Sequence, residues 1–232
     1  MYALIKRIID ITLSLIALIC VSPLFIVIVP ILRFTGEGEI FFLQPRVGMH
    51  KKIFGLMKFA TMLKNSPASG TVTTKDDPRV LPLGKFLRKT KMNELPQILN
   101  VFKGDMSLVG PRPLTEEVFR YYPKHAQKCI ASVRPGVTGL GSIFFRDEES
   151  ILAASKKNTM KCYREDILPL KGSLEEWYAD NRSIRTDMKI IIATAIVILF
   201  PRSNIPLAWF AVRDRIEASS LRSYFIRNKE RA

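Results

Sequence analysis

The chain has 232 residues, 47% hydrophobic and 25% charged, enough for one globular domain with a real core plus an accessory segment but too few for two large domains. Its 36 lysines and arginines against 21 acidic residues leave a net charge of +15, which calls for an anionic partner: nucleic acid, anionic lipid or a phosphorylated substrate. Three widely spaced cysteines, Cys20, Cys129 and Cys162, form no CxxC pair, and His50 and His125 stand alone, so neither a disulfide framework nor a zinc site is indicated.

The first element is apolar. Between Asp10 and Arg33 run 22 residues without a charge, ITLSLIALICVSPLFIVIVPIL, the length that spans a bilayer core as a helix. No small-residue cleavage site follows, so a secretory signal peptide does not fit. Ser22-Pro23 falls at the midpoint. There the proline has no N–H for the carbonyl of Ile19, and the Ser22 hydroxyl is placed to satisfy that carbonyl. Lys6 and Arg7 precede the run while Arg33, Arg46, Lys51 and Lys52 follow it, so both flanks read as cytoplasmic. A re-entrant helix-break-helix that enters and leaves on the cytoplasmic side reconciles these features better than its rival, a kinked span.

From Glu39 to Met62, short apolar pieces broken by Pro45, Gly48 and Gly55 predict short strands or turns. Residues 64–78, KNSPASGTVTTKDDP, read as a surface loop. Helices are predicted from Leu83 to Thr90, and from an N-cap at Asn93, with Pro96 in the first turn, to a stop at Gly104. Residues 188–200, MKIIIATAIVILF, make a helix of roughly 20 Å, too short to span and therefore buried or interfacial. Beyond Pro201, LAWFAV and the basic stretch from Arg213 to Arg231 predict an amphipathic segment on anionic lipid, with Trp209 and Phe210 at headgroup level. The expected fold class is mainly α with short β segments. It comprises a re-entrant membrane hairpin over residues 1–36, one compact cytoplasmic domain over 37–200, and a basic amphipathic segment over 201–232.

Chemistry concentrates in residues 83–117, LGKFLRKTKMNELPQILNVFKGDMSLVGPRPLTEE. Lys85, Arg88, Lys89 and Lys91, a carboxylate beside a predicted helix start and the Pro111-Arg112-Pro113 tripeptide suit a diphosphate. Phosphoryl transfer needs cations on the non-bridging oxygens, a divalent metal and a positioned nucleophile. Glu94 is a candidate ligand for Mg2+, and Arg88 and Arg112 offer forked donors. On these residue types alone, a solvated basic surface and a stiff turn explain the segment equally well.

The same stretch resembles the signature of the bacterial sugar transferases, monotopic phosphoglycosyl transferases that begin cell-surface glycan assembly on polyprenyl phosphate. Lys58-Phe59-Ala60-Thr61-Met62 is similar to that family's KF(K/R)TM and is followed by FLRKT, ELPQ, NV-x-KGDMSLVGPRP and, at Arg134 to Gly139, RPGVTG. The likeness runs from Lys6 to about Phe200 and includes Ser22 and Pro23, where the family breaks its membrane helix. It implies an enzyme on the cytoplasmic face of the bacterial inner membrane that moves a sugar phosphate from a UDP-sugar to undecaprenyl phosphate and releases UMP. Lys58, Arg88, Arg112 and Arg134 would bind phosphate and Glu94 would hold Mg2+. Membrane lipids would be partners, with room for a homodimer; no nucleic-acid motif is present.

Two departures from the family pattern stand out. The position of its nucleophilic aspartate holds Asn93, whose amide oxygen is a far poorer nucleophile. Three explanations stay open: another carboxylate such as Glu94, Asp77 or Asp105 takes over, Asn93 is an engineered block, or the protein is an impaired, substrate-binding or regulatory member. After RPGVTG the chain reads LGSIFFRDEES, where Arg146, Asp147 and Glu148 are candidate contacts to the sugar or metal, or an exposed charged loop.

Overall fold

A computed structural model describes residues 1–35, 37–64, 66, 78–155, 157–200, 203 and 205–227. Most of the predicted loop at 64–78, including Asp77, lies outside them, as does the end of the basic tail.

Helix α1 runs without interruption over Tyr2–Phe34, so the expected interruption at Ser22-Pro23 is not a break in the helix. The reason is local: the Ser22 hydroxyl donates to the Ile19 carbonyl at 2.8 Å, replacing the bond that Pro23 cannot make. At 33 residues the helix is about 50 Å long, and its middle presents Leu15, Ile16, Ile19, Ile26 and Val27 to the surroundings. By length and composition it is able to cross a membrane.

Both ends of α1 dock on the globular body. Near the start, Lys6 pairs with Asp187 at 2.8 Å, and Arg7 donates to the carbonyls of Val101 and Phe102 at 2.8 and 2.7 Å. Buried Asp10 accepts from Ser107 Oγ and the Leu108 amide at 3.1 and 3.0 Å. Near the other end, Ile28 and Leu32 bury against Phe59 and Leu87.

Strands β1 (Phe41–Val47) and β2 (Ile53–Phe59) form an antiparallel hairpin, as the short apolar pieces suggested. A two-stranded sheet has only edges, which is why Pro45 is tolerated inside β1. Helix α2 (Pro82–Lys89) matches its expected span and leads into a tight 3-10 turn at Met92–Glu94. Helix α3 (Gln97–Lys103) begins later than predicted, because Pro96 has no amide with which to close an α turn from Met92. Pro96, not Asn93, is the N-cap, and Gly104 ends the helix at φ 99° as expected.

Strands β3 (Ser107–Val109) and β4 (Gly136–Thr138) are parallel neighbours that join the VGPRP and RPGVTG motifs. Gly110, Gly136 and Gly139 pack backbone against backbone at this junction, and a Cβ on any of them would overlap main-chain atoms. The remaining helices are α4 (Glu116–Tyr121), α5 (Lys124–Ala131), α6 (Leu140–Phe144), α7 (Glu148–Ala154), α8 (Thr159–Cys162), α9 (Leu168–Asp180) and α10 (Ile184–Leu199). Helices α6 to α10 enclose the largest core with α11 (Ile205–Trp209), α12 (Arg213–Glu217) and α13 (Arg222–Arg227), while α4 and α5 bury Phe119, Ala126 and Ile130 in a separate cluster.

Helix α10 buries Ile190, Ala193 and Val197 while exposing Ile192, Ile198 and Leu199, so the segment expected to be buried or interfacial has one buried and one exposed face. The segment after it departs from expectation. Phe210 is only 2% exposed and meets Trp177 edge-on at 5.8 Å, and Val212, Ile216 and Leu221 complete the same core. These apolar side chains find a protein surface to cover, which removes more area from water than a headgroup layer would.

Candidate active site

A cavity of about 490 Å³ runs along β1 and β2, lined by Arg46, Lys58, Arg88, Lys91, Asn93 and Glu94 and extending to Glu39, Leu63 and Ser66. Its geometry follows from local structure. Alternation along β1 turns Phe42, Gln44 and Arg46 to one face, and the register sets Lys58 of β2 opposite Phe42. Buried Asn100 of α3 clasps the free edge of β2, accepting from the Met57 amide at 2.9 Å and donating to the Gly55 carbonyl at 2.8 Å. This tie holds Lys58 against the turn that carries Asn93 and Glu94. Lys91 opens that turn in the left-handed region at φ 59°, an uncommon conformation for a side-chain-bearing residue and one that functional sites concentrate.

Cations converge on one carboxylate. Lys58 Nζ lies 3.8 Å, and Arg112 Nη2 3.7 Å, from the same oxygen of Glu94, Oε1. Arg88 lines the cavity beside them. Arg46 was missed as a candidate from sequence, where it read only as a flanking charge. It donates to Gln44 Oε1 at 2.7 Å and to the Pro113 carbonyl at 3.1 Å, so it braces the Pro111-Arg112-Pro113 loop. Its Nε is buried without a hydrogen-bond partner, at a cost of about 1–3 kcal/mol until an acceptor arrives. The one sequence clue was its two-residue spacing from Gln44.

Burial, reinforced by Arg46, Arg112 and Arg88 and opposed by Glu94, brings the Lys58 ammonium down to about 8. Burial and neighbouring Arg112 likewise lower the Arg46 guanidinium. A lysine that must be charged to hold an anion loses that charge as pH rises through its pKa. The expected kcat/KM for an anionic donor is therefore level near pH 7 and falls above about pH 8, approaching tenfold per unit in the limit. Lys58→Arg, which stays protonated, should abolish this alkaline limb in initial-rate measurements from pH 6 to 10.

The other candidates are dispersed. Arg134 is half-buried in the turn before β4, outside the cavity lining, with its carbonyl against Gly110. Arg146 donates to the Val197 carbonyl at the end of α10, exposed Asp147 is the N-cap residue of α7, and Glu148 pairs with Lys171. Asp105 accepts from Asn100 at 3.3 Å and does not line the cavity. Ser22 and Pro23 lie in α1, away from the cavity lining.

A cavity in which lysine and arginine side chains converge on Glu94 is suited to a polyanion such as a diphosphate. The chain is similar to several known proteins. The chain is 32% identical over 215 residues to the exopolysaccharide production protein ExoY of Sinorhizobium fredii, covering 86% of this chain and 87% of that one. It is 34% identical to the UDP-N-acetylgalactosamine-undecaprenyl-phosphate N-acetylgalactosaminephosphotransferase of Aeromonas hydrophila, over 85% of this chain and 44% of that protein. It is also 37% identical to the UDP-glucose:undecaprenyl-phosphate glucose-1-phosphate transferase of Klebsiella pneumoniae, over 82% of this chain and 39% of that one. The profile of the bacterial sugar transferases matches residues 1–201, and the chain belongs to that family.

Proposed function

We propose that the protein transfers a sugar phosphate from a UDP-sugar to undecaprenyl phosphate, releasing UMP, as an early membrane step of cell-surface polysaccharide synthesis. The observation that carries this reading is the cluster of Arg46, Lys58 and Arg88, which line with Glu94 a cavity that abuts the long apolar helix, and of Arg112 beside Glu94. Phe59 lines the cavity and also packs on Phe25 of α1, with ring centroids 4.9 Å apart, so a lipid phosphate at the headgroup plane has a short path to the cations.

Arg46, with its unmatched Nε, and Arg88 and Arg112 bind the donor diphosphate; Lys58 adds a fourth charge. The residues present also fit a magnesium ion brought in with the diphosphate. Lys58 and Arg112 both lie nearest Oε1 of Glu94, so the other carboxylate oxygen would hold the ion, and magnesium commonly takes one or two carboxylates plus phosphate oxygens. When bound, that ion neutralises charge on the diphosphate.

Because an amide at position 93 does not form a stable acyl phosphate, the lipid phosphate oxygen attacks the sugar-bearing phosphorus directly. The bond to the bridging oxygen breaks and UMP departs with that oxygen. Asn93 also favours a second reading, a membrane-anchored member that binds donor without turning it over. Release of UMP from UDP-sugars by the full chain, with magnesium and undecaprenyl phosphate, separates the two. The expected result is release that requires the lipid; none across a broad donor panel would leave only the binding reading.

The same reading puts α1 in the membrane as a re-entrant element on the cytoplasmic face. It is supported by basic flanks on both sides and by docking of both ends on one body. Single cysteines at Ala3 and Thr35, in a chain lacking the three native ones, are expected to share the same labelling in intact cells. Opposite labelling would establish a span.

A further inference from the structure

Beyond the Arg46 end of β1 the chain has built a second polar group that no phosphate contact requires. Glu148, the first residue of α7, pairs with Lys171 of α9, and the two side chains are only 25% and 15% exposed. Taking two charges this far out of water is weak stabilisation at best, so the pair calls for another use. The Lys171 ammonium lies 5.1 Å from the Phe145 ring centroid and 5.8 Å from that of Tyr163. Tyr163 opens the π turn Tyr163–Ile167, a rare bulge that recurs at functional sites.

This group adjoins the phosphate-binding arginines. Tyr163 packs on the apolar cluster that contains Val47 and Leu114, whose backbones are bonded at 2.8 Å, and the neighbouring Arg46 reaches the Pro113 carbonyl. Burial and Glu148 push the Tyr163 phenol up to about 12, against the opposing pull of Arg112 and Arg46, in keeping with one shared neighbourhood. The cavity itself leaves the arginines in the other direction, along β1 toward Glu39 and Ser66. In a nucleotide sugar the nucleoside and the sugar leave the diphosphate at opposite ends. With the nucleoside along β1, the sugar falls on the Tyr163 side.

We propose that Glu148, Lys171 and Tyr163 form the subsite that reads the hydroxyl groups of the donor's sugar. The inference rests on the UDP-sugar reading of the cavity. A carboxylate accepts from ring hydroxyls, an ammonium donates to them, and an aromatic ring covers an apolar sugar face. The ion pair keeps both charged groups fixed and mutually satisfied until the sugar takes over their hydrogen bonds. Such a site discriminates between epimers because a missing or misplaced hydroxyl leaves a buried polar group unmatched.

The test is equilibrium titration of the full-length protein in detergent with UMP and with UDP-glucose, UDP-galactose, UDP-N-acetylglucosamine and UDP-N-acetylgalactosamine. It is applied to the unaltered chain, Glu148→Gln and Tyr163→Phe, each checked by thermal melting. Glu148→Gln is expected to weaken the preferred UDP-sugar roughly 10- to 100-fold and flatten the preference among sugars, while leaving UMP affinity unchanged. Tyr163→Phe, which keeps the ring, should shift sugar preference by a smaller factor with UMP again unaffected. Equal losses for UMP and UDP-sugar in both variants, or sugar preference retained in both, would overturn the assignment. UMP release judges the transfer reading separately: a chain that binds sugars selectively but releases none loses the transferase reading and keeps the subsite.

Discussion

Asn93→Asp is expected to release about one equivalent of UMP per protein from a UDP-sugar with no lipid acceptor present, and to gain the mass of the phosphosugar. The unaltered chain should do neither. The difference lies in one atom: a carboxylate oxygen placed in this cavity attacks phosphorus and yields an acyl phosphate, whereas the amide does not. The setting favours the change, because Lys58 and Arg112 converge on Glu94 beside Arg46 and Arg88, and a second carboxylate relieves the mutual repulsion of these cations. The substitution should therefore also raise the melting temperature slightly. Intact-protein mass followed by peptide mapping is the measurement. A phosphosugar adduct on the unaltered chain, at Glu94 or elsewhere, would refute direct attack by the lipid phosphate and identify the residue that has taken over.

Glu94→Gln is expected to lower kcat on the order of 100- to 1,000-fold while donor binding is unchanged or tighter. Both effects share a cause. Glutamine keeps the size of the side chain but removes the negative charge that Lys58 and Arg112 both address at Oε1, so the cavity becomes more positive and holds an anion at least as well. What disappears is the anionic oxygen that, under the proposed function, would hold a divalent cation. Rates measured against donor concentration at several magnesium levels decide the point. A variant with near-normal kcat and a raised KM would make Glu94 a mere spacer between the cations.

Much of this protein is local and therefore legible in its sequence. The apolar run to Phe34, the serine bridge at Ser22, the α2 span and the Gly104 stop follow from composition, proline chemistry and glycine's backbone freedom. The dense motifs were enough to name the family, because they lie in contiguous runs along the chain. The Asn93 turn was misread as a helix cap. Deciding between a 3-10 turn and an α turn there depends on the amide missing at Pro96 and on the clasp of Asn100 to β2, and the clasp is a long-range bond.

What only the tertiary structure decided is which charges face one another. Arg46 and Arg112 meet because strand β1 pairs at Val47 with Leu114 and the arginine hooks the Pro113 carbonyl. Arg146 turns to the end of α10 while Glu148, two residues on, pairs with Lys171 at the base of Tyr163. Phe210 goes into the core because α9 supplies Trp177 to cover it. Periodicity and propensity act over a turn or two of chain, whereas electrostatic convergence and burial depend on distance in space. The sequence by itself therefore determined the long apolar helix, the β1–β2 segment, α2 and the family, and packing determined the remaining helices and the composition of the site.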